Sequence, residues 1–262
     1  MRSSVPISVL LPASLTSDVH DLRQKTIKVG LIGRALAICR VERVCIYRDD
    51  DPNVKNQEDE SKLITTLLRY METPQYLRKL LFRRSEELRY VGLLSPLRTP
   101  HHPLREERAN RGDFRDGVVV RSGRRSLLEI GLPYKAVVEG RLDRGRRLTV
   151  RLGDRSGNLI SATPVPREEV PDYWGYDVRL ARSLSEGLKV LDPDYSIGTS
   201  RQGQNLYEVV DAIKSSKHGS VAVAFGGPYA GLFKICERQG VDAHEMFDVV
   251  INTVPNLSLI HI

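Results

Sequence analysis

Apolar residues fall into short runs near both ends of the chain, separated by stretches where they recur every three or four positions. Ile7-Ser-Val-Leu-Leu11, ending at Pro12, predicts a strand. Ser17 to Arg40 has helical period, with Ser17 or Asp18 placed to cap it. Val44-Cys-Ile-Tyr47 predicts a second strand, ended by Arg48-Asp-Asp-Asp-Pro52. Ser61 to Glu72 predicts an amphipathic helix stopped near Pro74, and Gln75 to Phe82 begins another. The pattern resumes later, with strands at Asp194 to Gly198, Ser220 to Phe225 and Phe247 to Ile251. Helices are predicted at Asn205 to Lys214 and at Tyr229 to Gln239, the latter stopped by Gly240. Short apolar strands alternating with helices predict an α/β fold with a parallel sheet covered on both faces.

The middle of the chain differs. Gly117 to Ser122, Leu127 to Ile130, Lys135 to Arg141, Arg146 to Leu152 and Asn158 to Ser161 read as five short strands with Gly-containing turns and no helix between them. That pattern predicts a small OB-like β-barrel. Leu97 to Asp116, with Pro100, His101, His102 and Pro103, reads as its entry linker. The expected organisation is an α/β domain in two parts, 1–95 and 163–262, interrupted by a β-module at 96–162.

Charge sharpens this division. The chain has 262 residues and a formal charge of +7, with 28% charged and 40% hydrophobic residues, an ordinary globular composition. Between Pro96 and Ser156 stand 15 Lys+Arg against 8 acids, an excess equal to that of the whole chain. All but Lys135 of these cations are arginine, whose planar fork suits phosphate and base edges. The segment therefore predicts RNA or DNA binding, with Arg121, Arg124, Arg125, Arg141, Arg146 and Arg147 as candidate contacts. Only Phe114 and Tyr134 are aromatic there, so stacking on single strands is weakly signalled. No apolar run approaches the length of a bilayer span, and the N-terminus lacks the apolar core of a signal peptide. Cys39, Cys45 and Cys236 are odd in number and lack CxxC spacing, which speaks against a disulfide framework or a zinc site. A soluble cytoplasmic protein is expected.

The candidate chemistry is sparse. Adjacent histidines in a proline-flanked linker are expected to point apart, so no metal is expected at His101 and His102. His20 and His244 read as satisfied surface histidines. Gly30-Leu-Ile-Gly33 lies within a predicted helix, not after a strand, which removes it as a dinucleotide fingerprint. Three segments carry more. One is Gly33-Arg34-Ala-Leu-Ala-Ile-Cys-Arg-Val41, an arginine in a helix leading into a strand. The others are Ile197-Gly-Thr-Ser-Arg-Gln-Gly203 and Val223-Ala-Phe-Gly-Gly-Pro228, expected to be loops after parallel strands, where open α/β sheets bind ligands. On the residues alone, each of these two is equally a turn, and Arg34 reads first as a helix-surface ion pair.

Together with Ile7-Ser-Val-Leu-Leu-Pro-Ala-Ser14, Asp18-Val-His-Asp-Leu-Arg-Gln-Lys-Thr26, Leu68-Arg-Tyr-Met-Glu-Thr-Pro-Gln-Tyr-Leu77, Gly92-Leu-Leu-Ser-Pro-Leu-Arg-Thr-Pro-His-His-Pro103, Tyr173-Trp-Gly-Tyr176 and Val249-Val-Ile-Asn-Thr-Val-Pro255, these segments resemble the SPOUT, or α/β-knot, RNA methyltransferases. The resemblance is to the archaeal and eukaryotic uridine group, which acts at ring position three and carries an OB-like insertion. It implies S-adenosyl-L-methionine held in a trefoil knot, an RNA substrate, most often ribosomal, and a homodimer. By motif position the cofactor residues would be Thr199, Ser200, Arg201, Gly226, Gly227, Ile251, Asn252, Thr253 and Pro255. Arg34 would be catalytic, facing the transferred methyl and the target base. The uracil nitrogen must lose its proton, and a nearby arginine would stabilise the anion; no general base is named.

The family continues after this point with a Gly-Gln-Gly-type loop and a long helix. Here the chain reads Asn256-Leu-Ser-Leu-Ile-His-Ile262, and its last six residues match a translated transposon-end sequencing adapter. The expectation is a truncation at or near Asn256, with a real variant of shortened end as the alternative; either leaves the chain a poor binder of S-adenosylmethionine and prone to aggregate. The alternatives are a non-catalytic RNA-binding protein on the same scaffold and an OB-type DNA-binding protein.

Overall fold

The computed structural model describes residues 5–103, 109–215 and 218–254. Its elements are β1 (Ile7–Pro12), α1 (Leu22–Ile38), β2 (Val41–Tyr47), α2 (Gln57–Glu72), α3 (Gln75–Leu81), β3 (Phe114–Arg121), β4 (Arg125–Glu129), β5 (Lys135–Glu139), β6 (Arg147–Ser156) and β7 (Leu159–Pro164). There follow β8 (Asp177–Ala181), α4 (Leu184–Leu191), β9 (Tyr195–Asn205), α5 (Leu206–Ser215), β10 (Val221–Ala224), α6 (Leu232–Arg238), α7 (Ala243–Met246) and β11 (Val249–Asn252). They form two compact units. One holds the described residues within Tyr70–Arg89 and Ser95–Gly175, the other those within Ser3–Arg69, Tyr90–Leu94 and Tyr176–Ile262. No described helix is long and apolar enough to cross a membrane.

The second unit is built on a six-stranded parallel sheet in the order β11-β9-β10-β1-β2-β8. Its central strands bury both faces and so read as near-continuous apolar runs. Leu10, Cys45, Tyr47, Ala222 and Ala224 pack on one face with Leu184, Leu191, Leu232 and Ile235. Gly187 of α4 fits there because a Cβ would stand 2.8 Å from Leu10 Cδ2. The cap of α1 is Asp21, whose carboxylate accepts from the Gln24 N–H at 3.3 Å, not Ser17 or Asp18. The expected cap positions are displaced because residues 13–16 wind into a 3₁₀ turn, with Ser17 N–H donating to Ser14 O. The edge strand β8 and helix α4 have no counterpart in the sequence expectations.

The first unit contains a closed five-stranded barrel, β3-β4-β5-β7-β6, antiparallel except where β5 pairs with β7. Val119, Leu128, Ile130, Ala136, Val138, Val150, Leu152 and Ile160 fill it. Beside the barrel lies a buried polar network. Arg147 donates to both Glu72 carboxylate oxygens, at 2.7 and 3.1 Å, and through Nε to Asp116 Oδ2 at 3.1 Å. Arg167 also pairs with Glu72, while Thr149 and Trp174 Nε1 donate to Asp116 Oδ1 at 2.7 and 2.9 Å. His101 and His102 do not point apart. Their rings pack edge-on at 4.1 Å with the Thr99 hydroxyl against both Nδ1 atoms, and each Nε2 meets a backbone carbonyl, of Glu72 and Met71. The linker thus folds into the unit because its imidazoles find buried carbonyl partners. Burial, then the neighbouring His101, pushes His102 down to about 3.

Burial alone would raise the Glu72 carboxyl, but Arg147, His101 and Arg167 outweigh it and hold Glu72 well below its ordinary 4.5. Asp116 is likewise held below 3.8, with Arg147 the main counterweight to burial. Groups with depressed folded values contribute stability above their unfolded values and lose it as pH falls. Glu72→Gln should therefore cost about 3–5 kcal/mol at neutral pH, because it removes the buried carboxylate that neutralises Arg147 and Arg167. Calorimetry across pH should also show the wild type losing stability below about pH 4.5, with that acid limb shallower in the variant.

Candidate active site

At the carboxyl edge of the sheet the connections after β1 and β10 diverge, which marks the candidate crevice. From β1 the chain leads toward β2 on one side, whereas from β10 it passes through α6 and α7 to β11 on the other. Ligands bind open α/β sheets at such a divergence.

The turn after β1 brings Ser14 beneath the connection after β10. Ser14 N–H donates to Asp49 Oδ1 at 3.1 Å. Asp49 is fully buried, and burial pushes its carboxyl above the usual range. Gly227 lies directly over Ser14, where a Cβ would come within 2.3 Å of the hydroxyl. Gly226 is equally constrained, since its Cβ would stand 2.9 Å from the Gly231 backbone. The turn is closed by Gly227 N–H donating to Ala230 O at 2.8 Å. It is tethered to the sheet by Phe225 N–H on Leu10 O and by the buried Tyr47 hydroxyl donating to Phe225 O at 2.6 Å. Phe225 and Tyr229, 39% and 55% exposed, flank the two glycines.

Residues 199–203 were expected to be a loop, and they are not. They lie within β9, which leaves the β11 ladder after Gly198 and rejoins it at Gln204, opposite Ile251. The strand continues because Gly203 lets the backbones touch: a Cβ there would be 2.6 Å from Ile251 C and 2.7 Å from Val250 O. The excursion is pinned on both sides. Thr199 Oγ1 donates to Ala224 O at 2.8 Å, and Asn252 Nδ2 donates to Arg201 O at 3.1 Å. Asn252 Oδ1 also accepts from Val254 N–H at 3.0 Å. Thr199, Ser200, Arg201, Gly226, Gly227, Ile251, Asn252 and Thr253 are thus gathered on the ends of β9, β10 and β11. Pro255 and the adapter-like residues lie outside the described residues.

Arg34 stands on the exposed face of α1, in one stripe with Ile27, Leu31 and Ile38, which are 42%, 67% and 72% exposed. Among the described residues it has no ion pair. Of the six barrel arginines, Arg121, Arg124, Arg125, Arg141 and Arg146 are exposed. Arg147 is instead committed to Glu72 and Asp116. The sequence reading missed Ser14, Tyr47 and Asp49 as parts of the crevice. Asp49 lies in an acidic run that reads as a solvated turn, and only its adjacency to an apolar strand distinguishes it.

The chain matches the family described as "Putative RNA methyltransferase" over residues 6–260. It is 31% identical over 277 residues to the mouse "28S rRNA (uridine-N(3))-methyltransferase", covering 94% of this chain and 70% of that protein. The human protein of the same name is also 31% identical, over 95% of this chain and 72% of its own length. An uncharacterised protein of Haloarcula marismortui is 32% identical, over 95% of this chain and 91% of that one.

Gly203→Ala should destabilise the chain by about 1–3 kcal/mol, because the added methyl forces two backbones apart. Gly92→Ala, with open space around its Cβ and no positive φ, should change stability by less than about 0.5 kcal/mol. Urea unfolding of the two variants makes the comparison.

Proposed function

Because the chain belongs to this family of RNA methyltransferases, we propose that it transfers the methyl group of S-adenosylmethionine to a uridine base nitrogen of ribosomal RNA. The observation that carries the proposal is the convergence of two glycine-bearing segments and the end of β11 on one crevice, in a chain that matches the family along nearly its whole length. The names of the mouse and human relatives support uridine as the target.

The residues present fit the donor. Gly203, Gly226 and Gly227 let the backbone of the three segments pack closely together at the carboxyl edge of the sheet. Exposed Phe225 and Tyr229 offer ring faces, and Asn252 and Thr253 offer polar groups. When bound, the donor supplies a sulfonium-activated methyl group. The chain's own part is to hold the reactants in line and to set the field around them. Thr199, Ser200, Arg201, Gly226, Gly227, Ile251, Asn252 and Thr253 would form the donor cradle. Arg34, always charged, would stabilise the uracil anion left when the ring nitrogen gives up its proton.

Further features of the reading rest on narrower support. A SPOUT-type knot rests on the sequence resemblance and the parallel sheet alone. An OB-type barrel is supported by its closed order and its single parallel pair. A homodimer is supported by the apolar stripe of α1, and light scattering should then give twice the chain mass. A cytoplasmic location is supported by three free cysteines.

The test is transfer of label from methyl-labelled S-adenosylmethionine to ribosomal RNA transcripts, followed by nucleoside digestion to identify N3-methyluridine. Arg34→Ala should lower the rate by about 100-fold while donor binding is retained. RNA binding without any label transfer would favour the non-catalytic alternative.

A further inference from the structure

Six arginines gather at one end of the barrel. Arg121, Arg124 and Arg125 come from the end of β3 and its turn into β4. Arg141, Arg144 and Arg146 come from the connection between β5 and β6. The two connections are stitched together. Gly140 N–H donates to Arg124 O at 2.8 Å, and Gly145 N–H donates to Val119 O at 2.8 Å. Val119 N–H returns a bond to Arg146 O at 3.0 Å, while Ser126 Oγ bridges Gly140 O and Leu142 N–H. Gly140 and Gly145 have φ of +97° and +84°, a conformation L residues rarely adopt, which fixes the course of the longer connection.

All six side chains are exposed. The acids among them are Glu139 and Asp143. Among the described residues only Arg125 is ion-paired, with Glu139 at 2.7 Å and in the open, where such a pair is worth little. The rim is therefore a concentrated positive field carried by forks suited to phosphate oxygens.

The barrel lacks the other half of a single-strand site. Of its two aromatic side chains, Tyr134 is buried and Phe114 is half-buried. Tyr134 is buried under the Arg155 guanidinium, 4.3 Å from its ring, and Phe114 packs edge-on against Trp174 at 6.3 Å. The exposed large apolar side chain of the barrel is Leu159, which has no ring to stack on a base. Single strands are held mainly by such stacking, whereas base-paired RNA is held through phosphates and shape.

We propose that this rim grips the phosphate backbone of base-paired RNA, delivering a folded element and not an unstructured strand; the inference rests on the RNA methyltransferase reading and narrows its substrate. Six phosphate contacts would give a log–log salt slope of about −5 on a duplex and about −4 on a single strand.

The experiment measures, by fluorescence anisotropy over a salt series, binding to an RNA hairpin of about 16 base pairs and to an unstructured RNA with the same number of phosphates. The expected result is tighter binding and a steeper slope for the hairpin. The triple variant Arg121→Gln/Arg141→Gln/Arg146→Gln should then lose about three units of slope, roughly one per arginine, with an unchanged melting temperature. Equal or tighter binding to the unstructured RNA, or an undiminished slope in the variant, overturns the inference. Label transfer to RNA in the assay above, found together with either of those results, would sink this inference alone; loss of transfer to every RNA would sink the parent reading as well.

Discussion

The crevice of the α/β unit depends on one backbone contact, the approach of β9 to β11 at Gly203 and Ile251. At that separation there is no room for a Cβ, so the position admits one residue type. The contact lets β9 run on beyond its pairing with β10, and the extra length holds Thr199 on the end of β10 and Arg201 on the end of β11. Tyr47 then bonds to the turn after β10, and Ser14 packs against its Gly227. Each bond is modest, about 1 kcal/mol net. Their collective effect is to hold several backbone and side-chain polar groups together where glycine lets the chain pack closely. A site of this kind is preorganised by what is missing from its residues as much as by what they carry.

The barrel unit is organised on a different principle. Glu72 and Asp116 are buried charges, tolerable because every oxygen has a donor and two arginines neutralise them. Gly175, with φ +79°, passes close by, where a Cβ would strike His101 and Glu72. The network ties together the end of α2, the linker, β3, β6 and the segment before β8. The same region supplies arginines of two kinds. Arg147 and Arg167 face carboxylates, whereas the rim arginines face water.

That distinction explains what could be read in the sequence and what could not. The period of apolar residues marks β1, β2, β10 and the barrel strands, because burial on one or both faces leaves a direct signature. It does not mark β8, whose Asp177 and Arg179 break the apolar run, or α4, which is short. It places the end of β9 too early, since Thr199 to Gln202 look like a polar turn and the reason they continue is a contact fifty residues away. Composition finds a basic segment but cannot sort Arg147 from Arg146. Adjacent in sequence, the two are divided by the start of β6 and by acids distant in the chain. The histidine pair is misjudged for the same reason, as its partners are carbonyls near the end of α2.

The chain's one tryptophan, Trp174, is buried in the barrel unit with its indole N–H on Asp116. Its emission is therefore a private signal of that unit, silent about the parallel sheet. An optical melt and one followed by backbone circular dichroism need not coincide, and any gap between them would measure how independently the two halves of the molecule come apart.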